Sequence, residues 1–456
     1  MAPDGSDWRD RSTPSTPPGR GQPVLSRGPF RGRFYPRGRS GPPGPRGHGH
    51  PSVPRIPGKN ILEGLYPSTI QVIEKPAEVP AGDDIVIGDV QYITSYSWAE
   101  GDEPTILVPG SPRLWKNDLP FPFRAPRDSG IVFVYQNGHR CPSYPLLPLF
   151  VAADTMESDG HSPTTWSSVD IVTDRNNLRK LWSFVENPEP SDFRIDLELV
   201  GPWTVLMQRW EERTAEEVEM RGFGGYGDSF EQTCTTTAPG CERGIFAGHH
   251  RVISYDMSGL KLVVRCEVDA CFAPEEASAE VGDQSQNNAS SPDDDLTNAL
   301  KSLSISSSSN TPASATTLQK QGLTVVKAGS IIPQSSLIKV KSRSEQSMTS
   351  LRWYEIYPQL LLGQTFHSMI GVHRSGEFSK VRHVELDSPE LEDVARSAQS
   401  GLRKLRWLLE EIQHAAMERG QDAKLSLVCR QGMLVLMKRT SSASLLPVDV
   451  LKRFEV

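Results

Sequence analysis

The chain has 456 residues, of which 37% are hydrophobic and 23% charged, and its formal net charge is -7. It is long enough for one large hydrophobic core or two modest ones. No run approaches 18 apolar residues and no apolar segment follows a basic N-terminus, so we expect an intracellular protein with neither a membrane span nor a secretory signal. The six cysteines lack the paired CxxC spacing of a zinc site, and we expect them to fill the core.

The N-terminal arm, residues 1–57, has an unusual composition. It contains ten arginines, three aspartates and thirteen prolines, and no lysine. Such a segment cannot bury enough apolar surface to fold, so we predict that it is disordered. Its arginines alternate with glycines and with Phe30, Phe34 and Tyr35, a pattern that can pair with phosphates and stack on bases. A solubilising tail is the alternative interpretation.

The next part of the chain, residues 58–273, alternates between strand-like and helix-like patterns. Apolar and β-branched runs predict strands in SGIVFVYQ, DLELVGPWTVLMQRW and GLKLVVRCEVDACF, and NNLRKLWSFV predicts a helix. A second low-complexity stretch, residues 274–318, then reads as a disordered insertion in a surface loop.

Residues 319–456 continue the same domain. Strands are predicted in SSLIKVKS and LSLVCRQGMLVLMKR, and helices in WYEIYPQLLLGQ and from residue 389 to about 419. The predicted fold class is therefore mixed α/β (α+β), with mixed sheets flanked by helices.

Two carboxylates, Glu267 and Asp269, lie two residues apart on an otherwise apolar strand, which places them on one face. Burying both is costly unless a cation compensates, and a divalent metal is a natural compensator. An exposed strand face with two solvated acids explains the pattern equally well.

Two lysines, Lys339 and Lys341, flank Val340 in the predicted strand SLIKVKSRS, so both should project from one face. A solvated edge strand explains this pattern. Alternatively, an acid pair on one strand and a lysine on its neighbour is the arrangement of metal-dependent nucleases of the PD-(D/E)xK type, in which the acids hold Mg²⁺ or Mn²⁺.

Five segments in order resemble the eukaryotic RNA decapping nucleases (DXO-like), which remove aberrant or NAD caps. They are IVTDRNNLRKL (171–181), GYGDSFEQTCT (225–235), RCEVDACF (265–272), SLIKVKSRS (336–344) and YPQLLLGQTFHSMIGVHRSGEF (357–378). The resemblance implies a PD-(D/E)xK-like nuclease core. Similar long fungal proteins are often labelled geranylgeranyl pyrophosphate synthetase, but SPDDDLTN lacks the last aspartate of a DDxxD motif and lies in the predicted insertion.

The resemblance also implies roles for individual residues. Arg175 is expected to contact substrate, and Gln359 to face the RNA backbone. Glu231, Glu267 and Asp269 would be the metal ligands, and Glu267 and Asp269 would act in catalysis together with Lys341.

The chain departs from the family pattern at one position, because the family motif ExK is here Lys339-Val340-Lys341. Lys341 keeps the position of the catalytic lysine, whereas Lys339 replaces a metal-binding glutamate. Two unit charges about 4 Å apart interact by on the order of 4 kcal/mol at an effective dielectric of 20, so the exchange should repel a metal. Lys339 could instead form a salt bridge with Glu231, Glu267 or Asp269, or turn aside while the three carboxylates hold one ion.

Two functions follow from the resemblance. The first is metal-dependent phosphodiester or pyrophosphate hydrolysis at RNA 5′ ends, impaired by Lys339. The second is a noncatalytic module that binds RNA ends or a protein. Some family members partner a nuclear 5′ exoribonuclease, so the resemblance favours a nuclear over a cytoplasmic location, but no residue here assigns that contact.

Overall fold

The structure is a computed structural model that describes residues 58–76, 82–218, 225–273 and 317–455, without the side chains of residues 246 and 247. The predicted arm, residues 1–57, lies outside the described residues. So does the predicted insertion, except for Thr317 and Leu318, which begin a strand.

The described residues form 21 strands. They are β1 (Leu65–Ile73), β2 (Ile87–Ala99), β3 (Thr105–Gly110), β4 (Arg113–Trp115), β5 (Phe123–Arg124), β6 (Gly130–Phe133), β7 (Ile171–Asp174), β8 (Phe193–Val200), β9 (Thr204–Arg209), β10 (Ala215–Val218), β11 (Thr235–Thr236), β12 (Gly244–Met257), β13 (Leu260–Glu267), β14 (Ala270–Cys271), β15 (Thr317–Lys320), β16 (Leu323–Gly329), β17 (Leu337–Ser344), β18 (His367–Arg374), β19 (Glu377–Glu385), β20 (Lys424–Arg430) and β21 (Met433–Arg439).

These strands make two large mixed sheets. The first has 12 strands in the order β1-β21-β20-β8-β9-β7-β13-β12-β2-β3-β16-β15, and the second has seven in the order β11-β4-β14-β17-β18-β19-β5. The remaining two strands, β6 and β10, pair separately. Parallel and antiparallel neighbours occur in both large sheets.

The described helices are α1 (Gln136–Arg140), α2 (Leu147–Ser158), α3 (Arg175–Glu186), α4 (Gly227–Cys234), α5 (Glu345–Met348), α6 (Trp353–Gly363), α7 (Glu392–Arg419) and α8 (Val448–Leu451). The three predicted helices are confirmed as α3, α6 and α7. In α7 the apolar positions recur with helical spacing, and the side chains of Leu402, Leu405, Leu409 and Ile412 are buried. None of the helices in the described ranges is long and apolar enough to cross a membrane.

Hydrophobic clusters cover both faces of the 12-stranded sheet. On β13, Leu262 and Val264 belong to the cluster that contains α3 and α7, whereas Val263 between them belongs to the cluster that contains α2. Because successive strand residues point to opposite faces, the two clusters lie on opposite sides of the sheet. Burial on both faces explains why the central strands read as nearly continuous apolar runs.

The strand predicted for GLKLVVRCEVDACF is two strands in two different sheets. β13 ends at Glu267 in the first sheet, and β14 begins at Ala270 in the second. The chain therefore passes from one sheet to the other through Val268 and Asp269. The expectation that Glu267 and Asp269 share one face of one strand was wrong, because strand geometry ends between them.

Candidate functional site

A cavity of about 180 Å³ lies where the two sheets meet, and its wall is strongly cationic. The charged side chains of the wall belong to the first sheet, to β17 of the second sheet and to α3. The cations are Arg175, Arg179, Arg209, Arg265 and Lys339, and the anions are Asp174 and Glu267. Gln359 of α6 closes another side of the cavity.

Two of the cavity arginines are neutralised within the protein. Arg265 donates from Nε to Asp174 Oδ1 at 2.6 Å and from Nη2 to Asp174 Oδ2 at 3.0 Å. It also donates to the carbonyl of Pro145 at 2.8 Å. This buried bidentate pair joins β13 to the start of α3. Arg209 is likewise neutralised, because its Nε donates to Glu211 Oε1 at 2.7 Å.

Two arginines of α3, Arg175 and Arg179, face the cavity one helical turn apart. No described group forms a hydrogen bond or ion pair with either guanidinium. Burial lowers the pKa of Arg179 to about 10, and the neighbouring charge of Arg175 adds to this effect. Two unpaired guanidinium groups in a concave site provide bidentate donors for an anion.

Lys339 forms a salt bridge with Asp269, the predicted metal ligand. The Lys339 Nζ lies 2.5 Å from Asp269 Oδ1, and the two side chains are 17% and 6% exposed. The backbone N–H of Val340 donates to Asp269 Oδ2 at 2.8 Å. The pairing of β14 with β17 brings these groups together, since Ala270 lies opposite Ile338.

The other two predicted carboxylate ligands also lie near Lys339. Burial, followed by the negative charge of Asp269, holds the pKa of Glu231 well above its usual value, while Lys339 opposes this shift. Its Oε1 atom is buried and has no hydrogen-bond partner. Glu267 is exposed to the cavity, but surrounding protein atoms displace bulk water and raise its pKa, again opposed by Lys339.

Lys341 lies on the same side of β17 as Lys339, and Val340 between them is buried. Its Nζ donates to Gln359 Oε1 at 3.0 Å, and Gln359 Nε2 donates to the carbonyl of Glu355 at 2.9 Å. Burial, followed by the charge of Lys339, lowers the pKa of Lys341 to about 7. With this pKa, Lys341 is only partly protonated at physiological pH.

The structure brings together only part of the predicted site in one cavity. Arg175, Glu267 and Gln359 line the large cavity, whereas Asp269 lines a neighbouring cavity of about 20 Å³ with Arg113 and His249. Glu231 and Lys341 line neither of these two cavities. Lys339 lines the large cavity, but its ammonium group binds Asp269, which lines the smaller one.

Gln136 and Arg179 are among the cavity residues that escaped the sequence reasoning. Gln136 is 5% exposed, and neither the oxygen nor the nitrogen of its side-chain amide has a hydrogen-bond partner in the described part of the chain. Arg179 follows Arg175 by four residues, and this helical spacing could have identified it. Nothing in the sequence pointed to Gln136, because SGIVFVYQ reads as one strand, whereas the strand ends at Phe133 and Gln136 begins α1.

The donor set fits a divalent metal poorly at Asp269. Both oxygens of this carboxylate are already engaged, one by an ammonium group at 2.5 Å and one by a backbone N–H. An ion beside Asp269 would meet the full charge of Lys339. The two carboxylates that remain, Glu231 and Glu267, are fewer than the three that the resemblance implied.

The fold is similar to that of solved Rai1 structures. The solved structure of Candida albicans Rai1 in complex with pU5 and Mn²⁺ aligns with a TM-score of 0.50 at 10% identity, over 84% of this chain and 99% of that chain. Scheffersomyces stipitis Rai1 aligns with a TM-score of 0.50 at 9% identity, over 84% and 97%. These likenesses concern the fold alone and confirm the predicted mixed α+β fold.

The chain belongs to the family described as a domain of unknown function (DUF8563), whose model matches residues 68–438. A search of curated protein sequences finds no match.

Proposed function

We propose that this protein binds phosphorylated 5′ ends of RNA in the cationic cavity, and that Lys339 takes the place of a catalytic metal ion. Hydrolysis is then absent or very slow. The observation that carries the proposal is the pair of guanidinium groups of Arg175 and Arg179 at the cavity wall, which have no partner among the residues that the structure describes. Carboxylates of the protein neutralise the other two cavity arginines, Arg209 and Arg265, so this pair is available to an external anion.

RNA is favoured over other polyanions by two features. The unpartnered amide of Gln136 offers a donor and an acceptor, which suit the edge of a base beside the phosphates. In addition, the C. albicans Rai1 structure with the same fold contains pU5.

A hydrolase is the second candidate, and the unpartnered Oε1 of Glu231 favours it. A buried carboxylate oxygen without a donor is a suitable ligand for Mg²⁺ or Mn²⁺. In this version Lys339 leaves Asp269, and Glu231, Glu267 and Asp269 hold one ion. The ion would supply an activated water and charge stabilisation, while Lys341 would stabilise developing charge and Arg175 with Gln359 would hold the RNA.

Fluorescence anisotropy in EDTA tests the binding proposal. The ligands are one labelled oligouridylate with a 5′-monophosphate and the same oligomer with a 5′-hydroxyl. We expect the phosphate to strengthen binding by about tenfold or more, since charge-assisted hydrogen bonds contribute about 1.5–3 kcal/mol.

The arginine pair provides the matched comparison. Arg175→Ala and Arg179→Ala should each remove most of the preference for the phosphate, whereas Arg419→Ala, at the exposed end of α7, should leave it unchanged. Equal affinity of the wild type for both oligomers in EDTA would refute the proposal.

A 5′ exoribonuclease partner and a nuclear location rest on the sequence resemblance alone and stay predictions.

A further inference from the structure

Sheet register places two histidines and a glutamate on one face of the β18–β19 hairpin. His367 lies directly opposite Glu385 across the antiparallel pair, and His383 lies opposite Met369. Since residues two apart on a strand share a face, His383 and Glu385 project together, beside His367. The three side chains belong to the second sheet and do not line the cationic cavity.

The potential ligand atoms of these three side chains are close together. His367 Nδ1 lies 3.0 Å from His383 Nε2 and 3.6 Å from Glu385 Oε1, and His383 Nε2 lies 3.9 Å from Glu385 Oε1. Tetrahedral Zn²⁺, with bonds of about 2.0–2.2 Å, places its ligand atoms roughly 3.4 Å apart. The observed separations bracket this value, so the ion requires little rearrangement of the side chains.

We propose that His367, His383 and Glu385 bind a divalent transition-metal ion of the zinc class. Two imidazoles and a carboxylate select such ions over Mg²⁺ and Ca²⁺, which prefer oxygen ligands. The donor set therefore differs from the all-carboxylate group around Lys339.

Independent support comes from the second nitrogen of His367. Its Nε2 lies 2.7 Å from the carbonyl of Ser335 and donates to it, which leaves the lone pair of Nδ1 directed at His383 and Glu385. A hydrogen bond from the non-ligating nitrogen to a backbone carbonyl is the usual way in which proteins orient a metal-binding histidine. The ring of Phe272 packs edge-on against both imidazoles, at centroid distances of 4.9 Å and 6.1 Å, and restricts them.

The position of the group indicates what the ion would do. His383 and Glu385 are 40% and 46% exposed, so an ion can reach them from solvent, and a fourth ligand position is open to water. Ser368, the residue next to His367, pairs with Lys339 across β17 and β18. Since adjacent strand residues point to opposite faces, the ion would lie on the face away from Lys339 and would clamp β18 to β19.

Zinc binding to the full-length protein without a polyhistidine tag tests the proposal. Isothermal titration with Zn²⁺ compares the wild type with His383→Ala and Glu385→Gln. His414→Ala removes an exposed histidine of α7 and serves as the control. The double substitution His48→Ala with His50→Ala controls for binding by the N-terminal arm.

We expect one zinc-binding event in the wild type that His383→Ala weakens by at least about 100-fold, because outer-sphere substitutions alone cost 10–100-fold. Glu385→Gln should weaken it as well, and both controls should retain it. Because His383 is partly exposed, thermal unfolding without metal should be nearly the same for all variants, which separates ligand loss from misfolding. Equal zinc binding by the wild type and His383→Ala, or loss only in the double arm variant, would overturn the proposal.

Discussion

The ammonium group of Lys339 is the main counter-charge for three carboxylates. It binds Asp269 directly, and it opposes the upward pKa shifts of Glu231 and Glu267. In a nuclease of the PD-(D/E)xK type a metal ion compensates such carboxylates. In the proposed function Lys339 takes the place of that metal ion, and it provides no Lewis acid.

Lys339→Met should therefore destabilise the protein at neutral pH by about 3 kcal/mol, because it leaves buried Asp269 without its counter-ion. Lys404→Met is the matched control, since the pair of Lys404 with Glu186 is more exposed and should contribute less than about 1 kcal/mol. Urea unfolding followed by circular dichroism measures both variants. Similar losses of unfolding free energy in the two variants would show that the pair of Lys339 with Asp269 contributes no more than an exposed salt bridge.

The low pKa of Lys341 predicts a pH dependence of RNA binding. With a pKa of about 7, the side chain is mostly charged at pH 6 and mostly neutral at pH 8. Lys341 does not line the cavity but donates to Gln359, which does, so its charge acts on a bound phosphate from behind Gln359. This contribution should decrease as the pH rises through 7.

Anisotropy titrations at pH 6, 7 and 8 with 5′-phosphorylated RNA measure this effect, and Lys341→Met is the comparison. The affinity of the wild type should fall more steeply with pH than that of Lys341→Met. The comparison removes the titration of the RNA phosphate itself, which is common to both proteins. Parallel pH profiles would exclude Lys341 from the phosphate site.

Among the secondary-structure elements, β17 was predictable in detail. Its period-two pattern placed Lys339 and Lys341 on one face, and Val340 between them is buried. The pairing of β17 with β14 was predictable only from the resemblance, because it joins residues about 70 positions apart in the sequence. A short apolar run cannot show that it crosses between two sheets, so the separation of Glu267 from Asp269 was missed.

The cavity wall was less predictable than the strands. Arg175, Arg209, Gln136 and Lys339 come from four elements that are distant in sequence, and only the packing of the sheets brings them together. Helical spacing alone could have added Arg179. The partner of Lys339 had three candidates in the sequence, and the β14–β17 register decides for Asp269.

At the scale of the whole molecule, charge is distributed unevenly along the chain. Residues 1–57 carry ten arginines and three aspartates, so removing them changes the formal net charge from -7 to -14. A basic arm on an acidic body is suited to nonspecific contact with the RNA backbone, whereas the cavity would supply the preference for a 5′ end.

Deletion of residues 1–57 should weaken binding to all RNA ligands and flatten its salt dependence, because fewer counter-ions are released. The ratio of affinities for 5′-phosphate and 5′-hydroxyl RNA should stay the same. Anisotropy titrations between 50 and 200 mM salt measure both quantities. An unchanged salt slope would identify the arm as a solubilising tail.

The most direct test of the central claim is product release from 5′-labelled RNA with Mn²⁺, using triphosphate, unmethylated-cap and NAD ends. The proteins compared are the wild type, Lys339→Glu and Asp269→Ala. If Lys339 takes the place of the metal, the wild type will release no more product than Asp269→Ala, and Lys339→Glu will gain Mn²⁺-dependent release. Product release by the wild type that disappears in Asp269→Ala would contradict the account, because the three carboxylates would then hold a catalytic ion despite Lys339.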